Sequence, residues 1–163
     1  MKKHLLSILL VSSSIVACAR RDPTAAQVAR NDDFGTLNAA KIELLEEGGI
    51  AAFLTNHVVR HDDRAFVFTR RQFCTSCAPI DSASGTLTAS ASDSLFTLTW
   101  GQSPFALKDD YGTTGMAADM IVYTLRMTFD GTTKTVRADD GTMPPQMRKI
   151  VDAVHGIISA ARK

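Results

Sequence analysis

Residues 120–163, MIVYTLRMTFDGTTKTVRADDGTMPPQMRKIVDAVHGIISAARK, constrain the fold more than any other stretch. Tyr123, Leu125, Met127 and Phe129 alternate with Thr124, Arg126 and Thr128, the period of two expected of a strand buried on one face. Asp130-Gly131 follows at once, and this pair tolerates the positive φ angles of a type I′ hairpin turn. With those two residues as the loop, Leu125 faces Val136 and Tyr123 faces Ala138, so the apolar face continues from one strand to the next. Arg126 opposite Thr135 and Thr124 opposite Arg137 fall on the wet face. A sheet with one buried face needs a cover. Met147, Ile150, Val151, Val154, Ile157, Ile158 and Ala161 supply it as a single helical stripe, with Arg148, Lys149, Asp152, Ser159 and Arg162 opposite. His155 falls on the polar side and reads as a solvated residue.

The domain begins near Ala39. Ala40, Ile42 and Leu44 alternate with Lys41 and Glu43 as in a strand, although Ile42, Leu44 and Leu45 also suit a helix; Gly48-Gly49 breaks either element. Ile50 to Arg60 is β-branched, His61-Asp62-Asp63-Arg64 is a turn, and Ala65 to Phe73 is a third strand carrying Phe66 and Phe68. Residues 75–86, TSCAPIDSASGT, read as a loop. Over Leu87 to Trp100, Ser90-x-x-Asp93 matches a capping box ahead of Leu95 and Phe96, while Thr97 to Trp100 is β-rich; the helix is preferred because it gives the sheet a second cover. Trp100 is then a core aromatic. Residues 101–119 form a long connection pinned by Phe105, Leu107 and Tyr111, with Gly112 to Asp119 exposed. The expectation is an α+β domain over residues 39–163: a small antiparallel sheet of about five strands packed by two helices, in the order β-β-β-α-β-β-α.

Residues 1–17 have a basic start, Lys2 and Lys3, and an apolar run from Leu5 to Val11. That run is too short for a bilayer core, which needs about 20 residues, and it reads as an export signal. Ile15-Val16-Ala17-Cys18 resembles the bacterial lipobox, which implies a diacylglycerol on the Cys18 thiol, cleavage before it and acylation of the new amine. An ordinary secretory signal with a chance cysteine is the alternative. Each buried acyl CH₂ contributes about 0.8 kcal/mol, so several chains anchor a protein durably. Ala19 is not the aspartate typical of inner-membrane retention, so the expected address is the cell envelope, on the outer membrane facing the periplasm. Residues 18–38 are polar and turn-rich and form a flexible tether.

Eighteen Lys and Arg stand against 17 Asp and Glu, and no basic cluster is interleaved with aromatics, which argues against a nucleic-acid partner. There is no Gly-x-Ser-x-Gly, His-Glu-x-x-His or phosphate-cradling glycine loop, so no enzyme and no cofactor is expected. Cys74 and Cys77 in an exported chain read first as a local disulfide. A redox pair would want a βαβ setting. His57, His61, Cys74 and Cys77 together offer a tetrahedral zinc set as a further alternative. Asp109-Asp110 and Asp139-Asp140 sit beside turns, where aspartate accepts local backbone N–H groups.

Ile42 to Phe53 around Gly48-Gly49, Tyr123-Thr124-Leu125-x-x-Thr128-x-Asp130-Gly131, Thr135-Val136 and Pro144-Pro145 resemble the emfourin-like proteins, small inhibitors of thermolysin-type metallopeptidases. The resemblance spans about residues 40–160 and rests on short motifs. It implies a compact α+β domain and a protein partner such as a secreted peptidase. Two departures stand out: the lipobox, because the emfourin type is a free domain, and Cys74-x-x-Cys77, which that pattern does not require. Together these readings describe a lipid-anchored, non-enzymatic protein-binding domain, with peptidase inhibition as the activity the resemblance implies. The alternative is a periplasmic thiol or metal protein using Cys74 and Cys77. Gly112, Gly115 and Met116, in an exposed loop with an apolar tip, are the first candidates for partner contact.

Overall fold

The period-two segments become strands and the two amphipathic segments become helices. In chain order these are β1 (Lys41–Gly48), β2 (Phe53–Arg60), β3 (Ala65–Gln72), β4 (Asp81–Thr86), α1 (Ala89–Gly101), β5 (Ile121–Phe129), β6 (Thr132–Asp139) and α2 (Pro145–Ala161), with a short 3-10 turn at Pro104–Ala106. The computed structural model describes residues 39–48, 52–72, 77–114 and 120–163. The six strands form one sheet in the order β4-β3-β2-β1-β5-β6, every named pair antiparallel.

Asp130 and Gly131 both take positive φ, +47° and +78°, as a type I′ turn requires. The register follows from that turn: Leu125 opposite Val136, Tyr123 opposite Ala138, Arg126 opposite Thr135 and Thr124 opposite Arg137, as the sequence predicts. β1 lies inside the sheet, between β2 and β5, and its Ile42 and Leu44 are fully buried. They share a face with Val59, Phe68, Leu125 and Met127, and both helices pack on it. α1 contributes Leu95 and Phe96; α2 contributes Met147, Ile150, Val151, Val154 and Ile158. Each such side chain contributes about 1.5–3 kcal/mol when removed from water. Of the predicted stripe on α2, Ile157 is half-buried and Ala161, at the helix end, is exposed. Pro145 opens α2 from an extended Pro144; a proline in the first turn forfeits no helical hydrogen bond. Trp100 and Phe105 close the hairpin end around Phe129, at ring separations of 5.2 and 6.1 Å.

The fold departs from the expected one in its strand count. Residues 81–86 are not loop but β4, an edge strand paired with β3. Their apolar signal is weak because β3 supplies the bulk. Ala83 and Gly85 stand opposite Phe68 and Phe66, and a Cβ on Gly85 would lie 3.0 Å from the Phe66 ring. A short, serine-rich edge also resists pairing with another chain. On the other edge, residues 109–111 run beside β6: Tyr111 N–H donates to the Arg137 carbonyl at 2.9 Å and Arg137 N–H to the Asp109 carbonyl at 2.8 Å. The cap of α1 also differs. Thr88 is the N-cap, its hydroxyl accepting the Ala91 N–H at 3.2 Å, and Ser90 already lies inside the helix. Asp93, freed from capping, meets His61 instead.

The opposite face of the sheet carries Leu45, Val58 and Val122 half-buried and Val67 exposed, among Glu43, Thr124 and Arg126. Among the described residues, no helix is long and apolar enough to cross a membrane.

Candidate functional site

Ile42, Leu44 and Glu46 follow one another on the core face of β1, so the alternation that buries two aliphatic side chains next presents a carboxylate. Cross-strand register sets Glu46 between Thr55 and Tyr123, and Leu44 opposite His57. Glu46 and His57 are therefore diagonal neighbours on one face. α2 lies over that face, and His155 flanks its buried stripe, adjacent to Val154 and one turn beyond Val151.

The three side chains meet. His57 Nε2 stands 3.3 Å from Glu46 Oε2, and His155 Nε2 stands 2.6 Å from Glu46 Oε1. The two imidazole rings are 5.1 Å apart, and the other side of His57 packs on Phe68 at 5.2 Å. The His57 and Glu46 side chains are 6% and 14% exposed, whereas His155 is 39% exposed, so the cluster is closed at its base and open at the helix. Burial pushes the Glu46 carboxyl up, but the hydrogen bonds from His155 and His57, with the charge of both rings, outweigh it and bring the group down to about 2. The Glu46 hydrogen bond in turn raises His155, against the opposing effect of burial. His155 is thus not the solvated residue that the helical pattern suggests; a partner on a distant strand holds it.

A second polar cluster fixes the connection at the same end of the sheet. The Asp139 carboxylate, fully buried, accepts N–H groups from Thr114, Gly141 and Thr142 and the hydroxyls of Thr114 and Thr142. Its own burial raises its pKa, yet these donors prevail and hold it at about 2. Asp140 accepts from Ile121 N–H at 3.1 Å and from the Tyr123 hydroxyl at 3.0 Å; burial, then that carboxylate, pushes the phenol upward. Asp110 accepts the Gly112 N–H at 2.6 Å. Asp110 and Asp139 accept local backbone donors, as their positions predict, whereas Asp140 takes its donors from β5 and Asp109 pairs with Lys134.

The two histidines of the predicted zinc set have different neighbours. His57 joins Glu46 and His155, whereas His61 lies past the end of β2, 3.3 Å from Asp93 and edge-on to Phe96 at 4.9 Å. Cys77 opens the segment leading to β4, while Cys74 lies outside the described residues. Gly112 is exposed with φ +78°; Gly115, Met116 and Cys18 also lie outside the described residues. Sequence reasoning misses Glu46 and His155 as partners because 109 positions separate them. The available signal is a carboxylate in register with two buried aliphatic residues. No protein-family model matches the chain, and no curated protein matches it.

Proposed function

We propose that this chain is a lipid-anchored, non-enzymatic protein-binding domain of the cell envelope, held through Cys18 on the outer membrane and facing the periplasm. Inhibition of a thermolysin-type peptidase, as in the emfourin-like proteins, is the activity to test first. One observation carries the reading: the stem of the Gly112–Asp119 loop is clamped at both the Asp110 and the Asp139 carboxylates while Gly112, Thr113 and Thr114 remain exposed. A segment that fills a peptidase cleft and resists cleavage needs a rigid stem, because ordering a loose loop on binding costs affinity. Its described flanks, Gly112–Thr114 and Met120, lie at the end of the sheet where β1 finishes, opposite the end that begins at Lys41. Gly112, Gly115 and Met116 are the proposed contacts, and a Cys74–Cys77 disulfide would tie off the connection from β3 to β4.

The test is titration of the purified chain into a thermolysin-type metallopeptidase with a fluorogenic peptide substrate. Stoichiometric inhibition, lost in Met116→Asp, is the expected result. No inhibition of such enzymes removes the inhibitor reading, and inhibition untouched by Met116→Asp moves the contact off this loop. Two titratable thiols in the native chain would favour the alternative thiol or metal reading of Cys74 and Cys77.

A further inference from the structure

We propose that Glu46, His57 and His155 form a binding site for one divalent transition-metal ion of the zinc class, separate from the Cys74–Cys77 pair. The geometry comes first. One carboxylate oxygen and two imidazole nitrogens converge so that all three donor atoms lie within 4.8 Å of one another. At zinc–nitrogen and zinc–oxygen distances of about 2.0–2.2 Å, ligand atoms around a common tetrahedron are about 3.3–3.6 Å apart. Glu46 Oε2 and His57 Nε2 already stand at 3.3 Å. His155 Nε2 stands 2.6 Å from the other carboxylate oxygen, Oε1, and as the most exposed of the three it has room to adjust around an ion.

The donor types agree with that geometry. Imidazole suits zinc, copper, iron and nickel, and two histidines with one carboxylate leave further positions open to water or a partner's ligand. Both rings offer the same atom, Nε2, to the same carboxylate. They approach different oxygens of it, His57 at Oε2 and His155 at Oε1, and with one donor atom taken from each residue the set spans no more than 4.8 Å. The framework is also built to hold a ligand in place. His57 is set in the sheet against Phe68, and Glu46 sits in the sheet interior between two paired strands. His155 projects from a helix whose neighbouring Val154 is buried in the core. The polar interactions of His57 rest on Nε2, because its buried Nδ1 has no hydrogen-bond partner.

The experiment uses the full chain, stripped with EDTA and then titrated with ZnCl2 alone, and in parallel with CoCl2 as a spectroscopic probe. One ion per chain is expected. The cobalt form should show visible d–d bands without the near-ultraviolet thiolate charge-transfer band that cysteine ligands would add. His155→Ala, at a half-exposed position that leaves the core intact, should raise the zinc dissociation constant at least about tenfold, since even outer-shell changes cost about 10–100-fold. Its far-ultraviolet circular dichroism should match the unaltered chain. A Cys74→Ser/Cys77→Ser variant should bind zinc as the unaltered chain does. Absence of stoichiometric uptake, uptake indifferent to His155→Ala, or a thiolate band that disappears with the cysteines would each overturn the assignment.

Discussion

Gly48 closes β1 at φ +122°, between Phe53 on β2 and Ile121 on β5. A Cβ placed there would lie 2.4 Å from the Met120 carbonyl oxygen and 3.6 Å from the Ile121 Cα. Both neighbours are backbone, so no rotamer change relieves the clash, and the start of β5 would have to move. Gly48→Ala therefore combines two costs: about 1–3 kcal/mol for a side chain in a sparsely populated backbone region and about 1–3 kcal/mol for overpacking. The lower entropy of the unfolded alanine chain offsets about 0.4–1 kcal/mol. The expected net loss is about 2–4 kcal/mol, a large share of the roughly 5–15 kcal/mol that holds a domain together. In urea unfolding, with a slope of about 2 kcal/mol per molar, the midpoint should fall by about 1–2 M. Gly156→Ala is the control. It lies on the exposed side of α2 with no atom within 4 Å of the added methyl, and alanine's helix propensity should stabilise it by about 0.5–1 kcal/mol. A Gly48→Ala loss below about 0.5 kcal/mol, or a shift of the same sign as Gly156→Ala, refutes the steric argument.

Met147 is fully buried under α2, so Met147→Ala should cost about 2–5 kcal/mol in the same unfolding assay, and a loss under about 1 kcal/mol would mean that the sheet is not sealed there. The Asp139 carboxyl is held at about 2, below its unfolded value, so its contribution to stability is complete above the ordinary aspartate range and disappears as pH falls through about 2. Unfolding midpoints measured down that range should fall, and Asp139→Asn should flatten this dependence; an unchanged slope would show that the carboxylate is not the group responsible. Cys18→Ser should leave the chain without lipid and release it from the membrane fraction, and an intact mass of the native protein without acyl chains would dispose of the anchor.

The hairpin around Asp130-Gly131, the stripe on α2 and the alternation through Ile42 and Leu44 are legible in the sequence alone. Each is encoded by residues within one or two turns of chain: a pair that accepts positive φ, a 3.6-residue period and a two-residue period. The helix over Ala89–Gly101 is legible for a weaker reason, since Ser and Thr are poor helix formers and the burial of Leu95 and Phe96 sustains it. β4 was hidden because its neighbours Phe66 and Phe68 carry the volume that Ala83 and Gly85 lack. The cap at Thr88 was hidden because Ser90 offers the same chemistry two residues on, and only the path of the chain from β4 selects between them. Glu46, His57 and His155 belong to β1, β2 and α2, and each by itself is an ordinary polar residue. Only strand register and the placement of α2 over the sheet bring their donor atoms within 4.8 Å of one another, because no local period spans the 109 residues from Glu46 to His155.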